Sequence, residues 1–133
     1  MQKYLFILGQ PHLKVLVSIQ RLVLRACHRE VCALFPGDIE EGREAELVAA
    51  GTTLRAALLS VPHHGSRTSS TDAFLAAVAP RVAVVQAGAG NRFGFPHPEP
   101  LGRLRARAVR VLGTDRGRAV VFATDGEGCW KEP

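Results

Sequence analysis

The sequence predicts a single α/β domain, built from a strand pair, a series of β-α repeats and a final strand pair. A chain of 133 residues with 47% hydrophobic content can bury one core but not two. Short apolar runs that stop at Pro or Gly alternate with segments whose apolar residues have helical spacing. This alternation is typical of layered α/β domains.

The first elements are predicted to be strands. Apolar and polar residues alternate over 13–24, with a phase slip near 20–21 that indicates a bulge or break. A second apolar run covers 31–35. Together they predict a hairpin that ends at 36–38, where Pro and Gly stop the ladder and leave Asp38 on a loop.

A helix and a buried strand are expected next. Residues 39–50 are rich in Glu and Ala, and Gly51 is placed to end a helix there. Residues 54–61 are apolar enough for a buried strand, which Pro62 terminates.

The same alternation continues along the chain. Either Ser70 or Thr71 can cap a helix that runs through Val78. Residues 81–86 then predict a strand, and 87–91 a glycine-rich loop.

The last third of the chain is predicted to hold one helix and one strand pair. Proline suits the first turn of a helix over 98–108. Residues 109–112 and 118–123 are interpreted as two strands joined by a turn, followed by a frayed tail from Asp125.

Charge and cysteine content narrow the class of protein. Seventeen Lys and Arg against twelve Asp and Glu give a net charge of +5, which favours a polyanionic partner, although Arg-rich composition also follows from a GC-rich genome. Arg103, Arg105 and Arg107 are expected to point outward from their helix, to bind a DNA backbone or simply to be solvated.

Three cysteines are too few for a disulfide scaffold, so Cys27 and Cys32 are interpreted as half-buried thiols of a hairpin.

The opening residues do not predict a membrane segment. Residues 1–8 are apolar over too short a stretch for a signal sequence or a membrane span, and Gly9 and Pro11 follow directly. The sequence as written therefore predicts a soluble, cytoplasmic chain.

Polar residues follow the predicted strands in a pattern that suggests a site. Asp38 follows the second strand, His63 and His64 follow the third, and Asn91 and His97 follow the next. Strand ends that share one sheet edge would bring them together. Asp and His are ligands for divalent zinc or manganese. The alternative is that these side chains only terminate strands and bond loop backbone.

Three segments in order resemble the metallo-β-lactamase-like domain of ComEC-type competence proteins. They are Phe-Pro-Gly-Asp-Ile-Glu at 35–40, Val-Pro-His-His-Gly-Ser-Arg-Thr-Ser-Ser at 61–70 and Gly-Asn-Arg-Phe-Gly-Phe-Pro-His-Pro at 90–98. The resemblance implies an αββα sandwich, present here as its C-terminal half. It divides the chain into a non-matching segment at 1–17, a partial domain at 18–124 and a tail at 125–133.

The resemblance also implies site roles, position by position. Asp38 resembles a metal-bridging carboxylate, and the pair His63 and His64 supplies a further ligand, with either histidine possible. The residues implied in catalysis are His97 and Asn91. The residues implied in substrate binding are Ser66, Arg67 and Arg92.

The implied reaction is hydrolysis of a phosphodiester by a hydroxide bound to zinc or manganese. The implied partners are DNA, with a single strand favoured, and the channel of the competence machinery, in a domain on the outer side of the inner membrane. Two departures stand against intact activity: the family's upstream Asp-His segment is missing, and Phe95 replaces a histidine. The alternatives are an inactive remnant that binds nucleic acid or a partner through its basic surface, and a hydrolase of another phosphoester. Half a sandwich also predicts a homodimer or poor solubility.

Overall fold

A computed structural model describes residues 12–17, 22–115 and 119–132, and its main feature is a mixed six-stranded sheet. The strands, in sheet order, are β1 (His12–Val17), β2 (Leu22–His28), β3 (Val31–Phe35), β4 (Leu58–Ser60), β5 (Val82–Val85) and β6 (Arg110–Gly113). β1, β2 and β3 pair antiparallel, whereas β3 to β6 pair parallel. An α/β domain is therefore confirmed.

The antiparallel part of the sheet contains a disulfide bond. A two-residue turn joins β2 to β3, and the register places Cys27 directly opposite Cys32 with their Cα atoms 4.0 Å apart. The two cysteines are bonded, so the prediction of two free thiols is wrong. The predicted strand over 13–24 corresponds to β1 and the start of β2, and its predicted break at 20–21 lies outside the described residues.

Three helices connect the parallel strands: α1 (Glu41–Ala49), α2 (Asp72–Val78) and α3 (Pro98–Ala106). All three predicted helices are confirmed. Gly51 takes the left-handed conformation (φ +64°) just beyond the end of α1, as a helix-terminating glycine does. Thr71, rather than Ser70, caps α2, because its side-chain oxygen accepts the N–H of Phe74 at 3.4 Å.

The final strand pair differs from the prediction. β6 pairs with β5, whereas β7 (Phe122–Thr124) pairs antiparallel with β8 (Cys129–Lys131) in a separate two-stranded sheet. The predicted pairing of 109–112 with 118–123 is therefore wrong. Asp125 Oδ1 accepts the N–H groups of Glu127 and Gly128 and so builds a turn. After that turn the chain pairs back with β7 as β8, so part of the predicted tail is a strand.

All three helices pack on one face of the sheet. One apolar cluster joins Leu47 of α1, Phe74 of α2 and Leu104 of α3 to alternate strand positions such as Leu34 and Leu59. Since side chains alternate across a strand, the intervening positions point to the opposite face. There Ala33, Phe35, Leu58 and Val84 line a small cavity together with Val120 and Phe122.

The segment at 119–124 therefore lies over the second face of the sheet. The prediction of a homodimer depends on how much of that face stays open, and it stays a prediction. None of the described helices is long and apolar enough to cross a bilayer.

Candidate functional site

The loops that follow β3, β4 and β5 meet at the carboxyl edge of the parallel strands. They enclose an open cavity of about 400 Å³. Of the described residues, those that line it are Asp38, His63, His64, Gln86, Ala87, Gly88, Asn91, Phe93 and Phe95. Four of the residues predicted from the sequence thus come together at one sheet edge: Asp38, His63, His64 and Asn91.

His64 is held in a defined orientation by the end of β5. Its Nδ1 atom lies 2.6 Å from the backbone carbonyl oxygen of Gln86. A carbonyl oxygen only accepts, so Nδ1 carries a proton, and in the neutral ring Nε2 is the nitrogen that has the lone pair. Nε2 lies 3.6 Å from Asp38 Oδ1. Metal-binding histidines are commonly oriented by such a bond on the opposite ring nitrogen.

His63 has a carboxylate neighbour instead. Its Nδ1 atom lies 2.9 Å from Glu40 Oε1. The exposed Glu40 side chain stands two residues beyond Asp38 on the same loop, so one loop contributes an acidic group to each histidine. Glu40 closes the motif at 35–40 but was not predicted as a site residue, and Gln86 lies outside the three motifs and contributes only its backbone carbonyl.

Both histidines adopt the left-handed backbone conformation, with φ of +46° at His63 and +55° at His64. This conformation is unfavourable for residues other than glycine and persists where surrounding contacts enforce it. Here the N–H of His63 donates to the carbonyl of Gly37 at 3.0 Å, and its carbonyl accepts the N–H of Ser66 at 2.9 Å. The strained turn aims both imidazoles into the cavity.

The loop that carries His97 docks closely against this turn. Gly65 has φ of +81°, and a Cβ atom there would lie only 2.6 Å from Cβ of Pro96. The N–H of His97 donates to the carbonyl of Gly65 at 2.9 Å. The ring of His97 stands edge-on to Phe95, with centroids 5.4 Å apart. His97 is not among the described residues that line the cavity, so it contacts the site through Phe95 and through the backbone of Gly65.

Asn91 organises its own loop. Its amide nitrogen donates to the carbonyls of Gly88 (2.9 Å) and Phe95 (2.6 Å). Its amide oxygen accepts the N–H groups of Phe93 (3.2 Å) and Phe95 (3.0 Å). With its donors and acceptor engaged in this way, Asn91 holds the backbone that carries Phe93 and Phe95.

The three predicted substrate-binding residues lie in different surroundings. Ser66 is buried, with Oγ 3.1 Å from Oγ1 of Thr68. Arg67 is exposed and pairs with Glu99 at 3.1 Å. Neither belongs to the described lining of the cavity. Arg92 is adjacent to it, since its guanidinium carbon lies 4.8 Å from the ring centroid of Phe93.

The arginines of α3 only partly form an outward basic face. Arg105 is exposed as predicted. The outward orientation predicted for Arg103 is wrong. Its guanidinium instead donates at 2.8 Å to the backbone carbonyls of Ser69 and Ser70. Arg107 is exposed but pairs with Asp72 at 3.1 Å.

A buried carboxylate supports the loop between the histidines and α2. Glu44 of α1 is 0% exposed and accepts the N–H groups of Ser70 (2.6 Å) and Thr71 (2.8 Å) and the hydroxyl of Thr71 (2.7 Å). Burial raises the pKa of this carboxyl, and the hydrogen bonds oppose that shift. One feature of the sequence indicates that Glu44 is buried: it stands three residues before the buried Leu47, on the same helix face.

The donors at this edge fit part of a metal shell. Two ligands of a tetrahedral zinc ion, each bonded at about 2.0–2.1 Å, stand roughly 3.3–3.4 Å apart. The 3.6 Å between Asp38 Oδ1 and His64 Nε2 is close to that separation. Among the described residues, however, no group of three His, Cys, Asp or Glu side chains is arranged to hold a metal.

Comparison with known proteins relates the chain to DNA-uptake proteins. No protein-family model matches it. It is 33% identical over 89 residues to ComE operon protein 3 of Bacillus subtilis (strain 168), covering 67% of this chain and 12% of that protein. It is 37% identical over 101 residues to competence protein ComA of Neisseria gonorrhoeae, covering 75% and 15%. It is 36% identical over 81 residues to recombination protein 2 of Haemophilus influenzae, covering 61% and 10%.

The matched stretch thus spans only 10 to 15% of the length of these relatives. All three relatives are competence proteins of the ComEC family. The chain is therefore homologous to a segment of the ComEC-family competence proteins.

Proposed function

We propose that this chain forms the C-terminal half of a metallo-β-lactamase-like domain and supplies part of a zinc or manganese site for phosphodiester hydrolysis in DNA uptake. The observation that carries the proposal is the Asp38–His64 pair, with Nε2 of His64 turned toward the carboxylate by the Gln86 carbonyl. The homology to competence proteins supports DNA as the substrate.

The layering of the fold supports the sandwich. Three helices cover one face of the six-stranded sheet, and strand-forming residues near Phe122 lie over the other. In an αββα sandwich, each sheet has helices on its outer face and the second sheet on its inner face. The helices on one face of this sheet and the strand residues on the other match that arrangement.

The described residues divide the work at the site. Asp38 and His64 would hold the ion, and the Gln86 carbonyl fixes the imidazole. His63, next to Glu40, is placed to move a proton or to provide a further donor. A divalent ion held there would lower the pKa of a bound water and neutralise charge on the phosphate. Turnover requires donors beyond those that the described residues provide.

Metal binding by the chain itself tests the proposal. Equilibrium dialysis against Mn²⁺ or Zn²⁺ should show one ion bound weakly, and Asp38→Asn or His64→Ala should abolish that binding. His28→Ala is a matched control, because His28 lies at the far end of β2 and should leave binding unchanged. Binding that is equal in all four proteins would contradict the proposal, and so would no binding at all.

One observation favours the alternative of an inactive remnant: the described residues contain no three-ligand group. Hydrolysis assays distinguish a working nuclease site from the two alternatives. A working site cleaves a single-stranded oligonucleotide with Mn²⁺, and Asp38→Asn loses that cleavage. Cleavage of a small phosphodiester but not of DNA would indicate a hydrolase of another phosphoester. No cleavage of either, together with no metal bound in the dialysis experiment and with DNA binding retained, would indicate the remnant.

The setting of the site is also part of the proposal. By resemblance, the domain works beside the channel of the competence machinery, on the outer side of the inner membrane. A fusion of the chain to a reporter that is active only outside the cytoplasm, made within the full-length gene, tests this placement. Reporter activity confined to the cytoplasm would contradict it.

A further inference from the structure

The side chain of Phe93 is 58% exposed, although it is large and apolar. The backbone that carries it is nevertheless held, because Asn91 Oδ1 accepts the N–H groups of both Phe93 and Phe95. A hydrogen-bonded loop that presents a phenyl ring to solvent points to a binding contact rather than to packing.

Three rings stack in sequence from this surface toward the Asp38–His64 pair. Phe93 and Phe95 have centroids 5.6 Å apart and planes 20° apart. Phe95 and His64 have centroids 6.3 Å apart and planes 28° apart. The guanidinium of Arg92 lies at the outer end, 4.8 Å from the Phe93 centroid. Near-parallel rings therefore connect an exposed cation to the candidate metal ligands.

We infer that Phe93 and Phe95 form a stacking platform for an unpaired nucleotide base next to the candidate metal site, with Arg92 as an adjacent phosphate contact. This inference rests on the proposed function and names the form of the substrate. Every base has a flat face that stacks on aromatic side chains, and bases within a duplex have those faces covered. The base displaces Arg92 from the ring of Phe93, and the freed guanidinium pairs with the phosphate.

Charge favours a nucleic acid over a second copy of the chain at this surface. The chain carries a net charge of +5, so two copies repel each other, whereas a polyanion is attracted. The cavity of about 400 Å³ that the rings of Phe93, Phe95 and His64 line gives the adjoining sugar and phosphate room in front of the rings.

Oligonucleotide binding in the presence of EDTA tests the platform independently of any metal. Fluorescence anisotropy with a labelled oligothymidylate should show affinity roughly 5- to 150-fold weaker for Phe93→Ala than for the wild type. Leu22→Ala is the matched control, since Leu22 is 56% exposed and lies on β2. An oligomer with the same phosphates but no bases should bind the wild type as weakly as Phe93→Ala binds the complete oligomer.

A tryptophan at the same position reports stacking directly. Phe93→Trp should keep the affinity for the oligonucleotide, and its added fluorescence should be quenched on binding, beyond the change seen for the wild type with its single Trp130. Equal affinity of Phe93→Ala and Leu22→Ala would overturn the inference. So would wild-type binding that does not distinguish the complete oligomer from the abasic one. A dimer in light scattering that Phe93→Ala dissociates would assign the ring to a second copy instead.

Because these experiments contain no free metal, their outcome is separate from that of the dialysis experiment. Stacking without metal binding would sustain the platform and refute the metal site. Metal binding without stacking would do the reverse.

Discussion

Nδ1 of His64 lies 2.6 Å from the backbone carbonyl oxygen of Gln86 and therefore donates to it. This one bond ties an imidazole on the loop after β4 to the end of β5. It leaves Nε2 as the ring nitrogen that faces Asp38. The orientation of a candidate ligand is thus set by the neighbouring strand as well as by its own loop.

The first prediction concerns the tautomer of His64. At alkaline pH, nitrogen NMR should show the proton on Nδ1 and none on Nε2, because the carbonyl of Gln86 accepts only from a protonated Nδ1. A His64→Gln variant identifies the resonances by their loss. A His64 ring protonated on Nε2 under these conditions would show that the bond to Gln86 does not form.

The second prediction concerns the contact between the two loops of the site. Gly65→Ala should lower the free energy of unfolding by about 1–3 kcal/mol, because the new Cβ would meet Pro96 in a left-handed backbone position. Gly42→Ala in α1 is the control. Its Cβ meets nothing within 4 Å, and removing a helix glycine should stabilise by about 0.5–1 kcal/mol. Urea unfolding that shows the same change for both variants would exclude the close docking.

The third prediction concerns Glu44. Glu44→Gln should cost about 1–3 kcal/mol of stability, because an amide cannot accept all the hydrogen bonds that the carboxylate receives from Ser70 and Thr71. The exposed Glu46→Gln on the same helix is the control and should cost far less.

The pH dependence of that difference follows from the raised pKa of Glu44. A carboxyl whose pKa is higher in the folded state binds its proton more tightly there. Its contribution is therefore complete at low pH and is lost as the pH rises through the folded-state pKa. The stability gap between the wild type and Glu44→Gln should shrink as the pH is raised through mildly acidic values. A gap that widens with pH would mean that the hydrogen bonds outweigh burial.

The fourth prediction concerns the cysteines. Thiol titration of the unfolded chain without reductant should count one thiol, Cys129, since Cys27 and Cys32 are bonded. After reduction it should count three. Partial desolvation raises the pKa of Cys129, so that thiol should react slowly in the folded protein. Three thiols before reduction would show that the pair across β2 and β3 stays open.

Local signals explain which parts of the fold were predictable. The ends of α1 and α2 depend on Gly51 and Thr71, whose effect is confined to their own helix turn. The pairing of β6 with β5 depends on how α3 packs, so the neighbouring apolar runs were wrongly paired with each other. The Cys27–Cys32 bond could have been predicted from the sequence, because a two-residue turn between the two strands places these cysteines directly opposite each other.

The site likewise contains features that could be predicted from the sequence and features that could not. Asp38, His63 and His64 meet because each follows a parallel strand, and strand order could be inferred from the sequence. The contribution of Gln86 could not, since a backbone carbonyl has no residue signature. Arg103 was misplaced for a related reason: its partners are the carbonyls of a loop more than thirty positions away.

The most direct test of the Asp38–His64 site is paramagnetic broadening by Mn²⁺ in NMR spectra of the wild-type chain. At substoichiometric Mn²⁺, the resonances of Asp38, His63, His64 and Gln86 should broaden first, and Zn²⁺ should restore them by competition. Broadening that begins elsewhere, or that persists unchanged in His64→Ala, would contradict a metal site at this edge of the sheet.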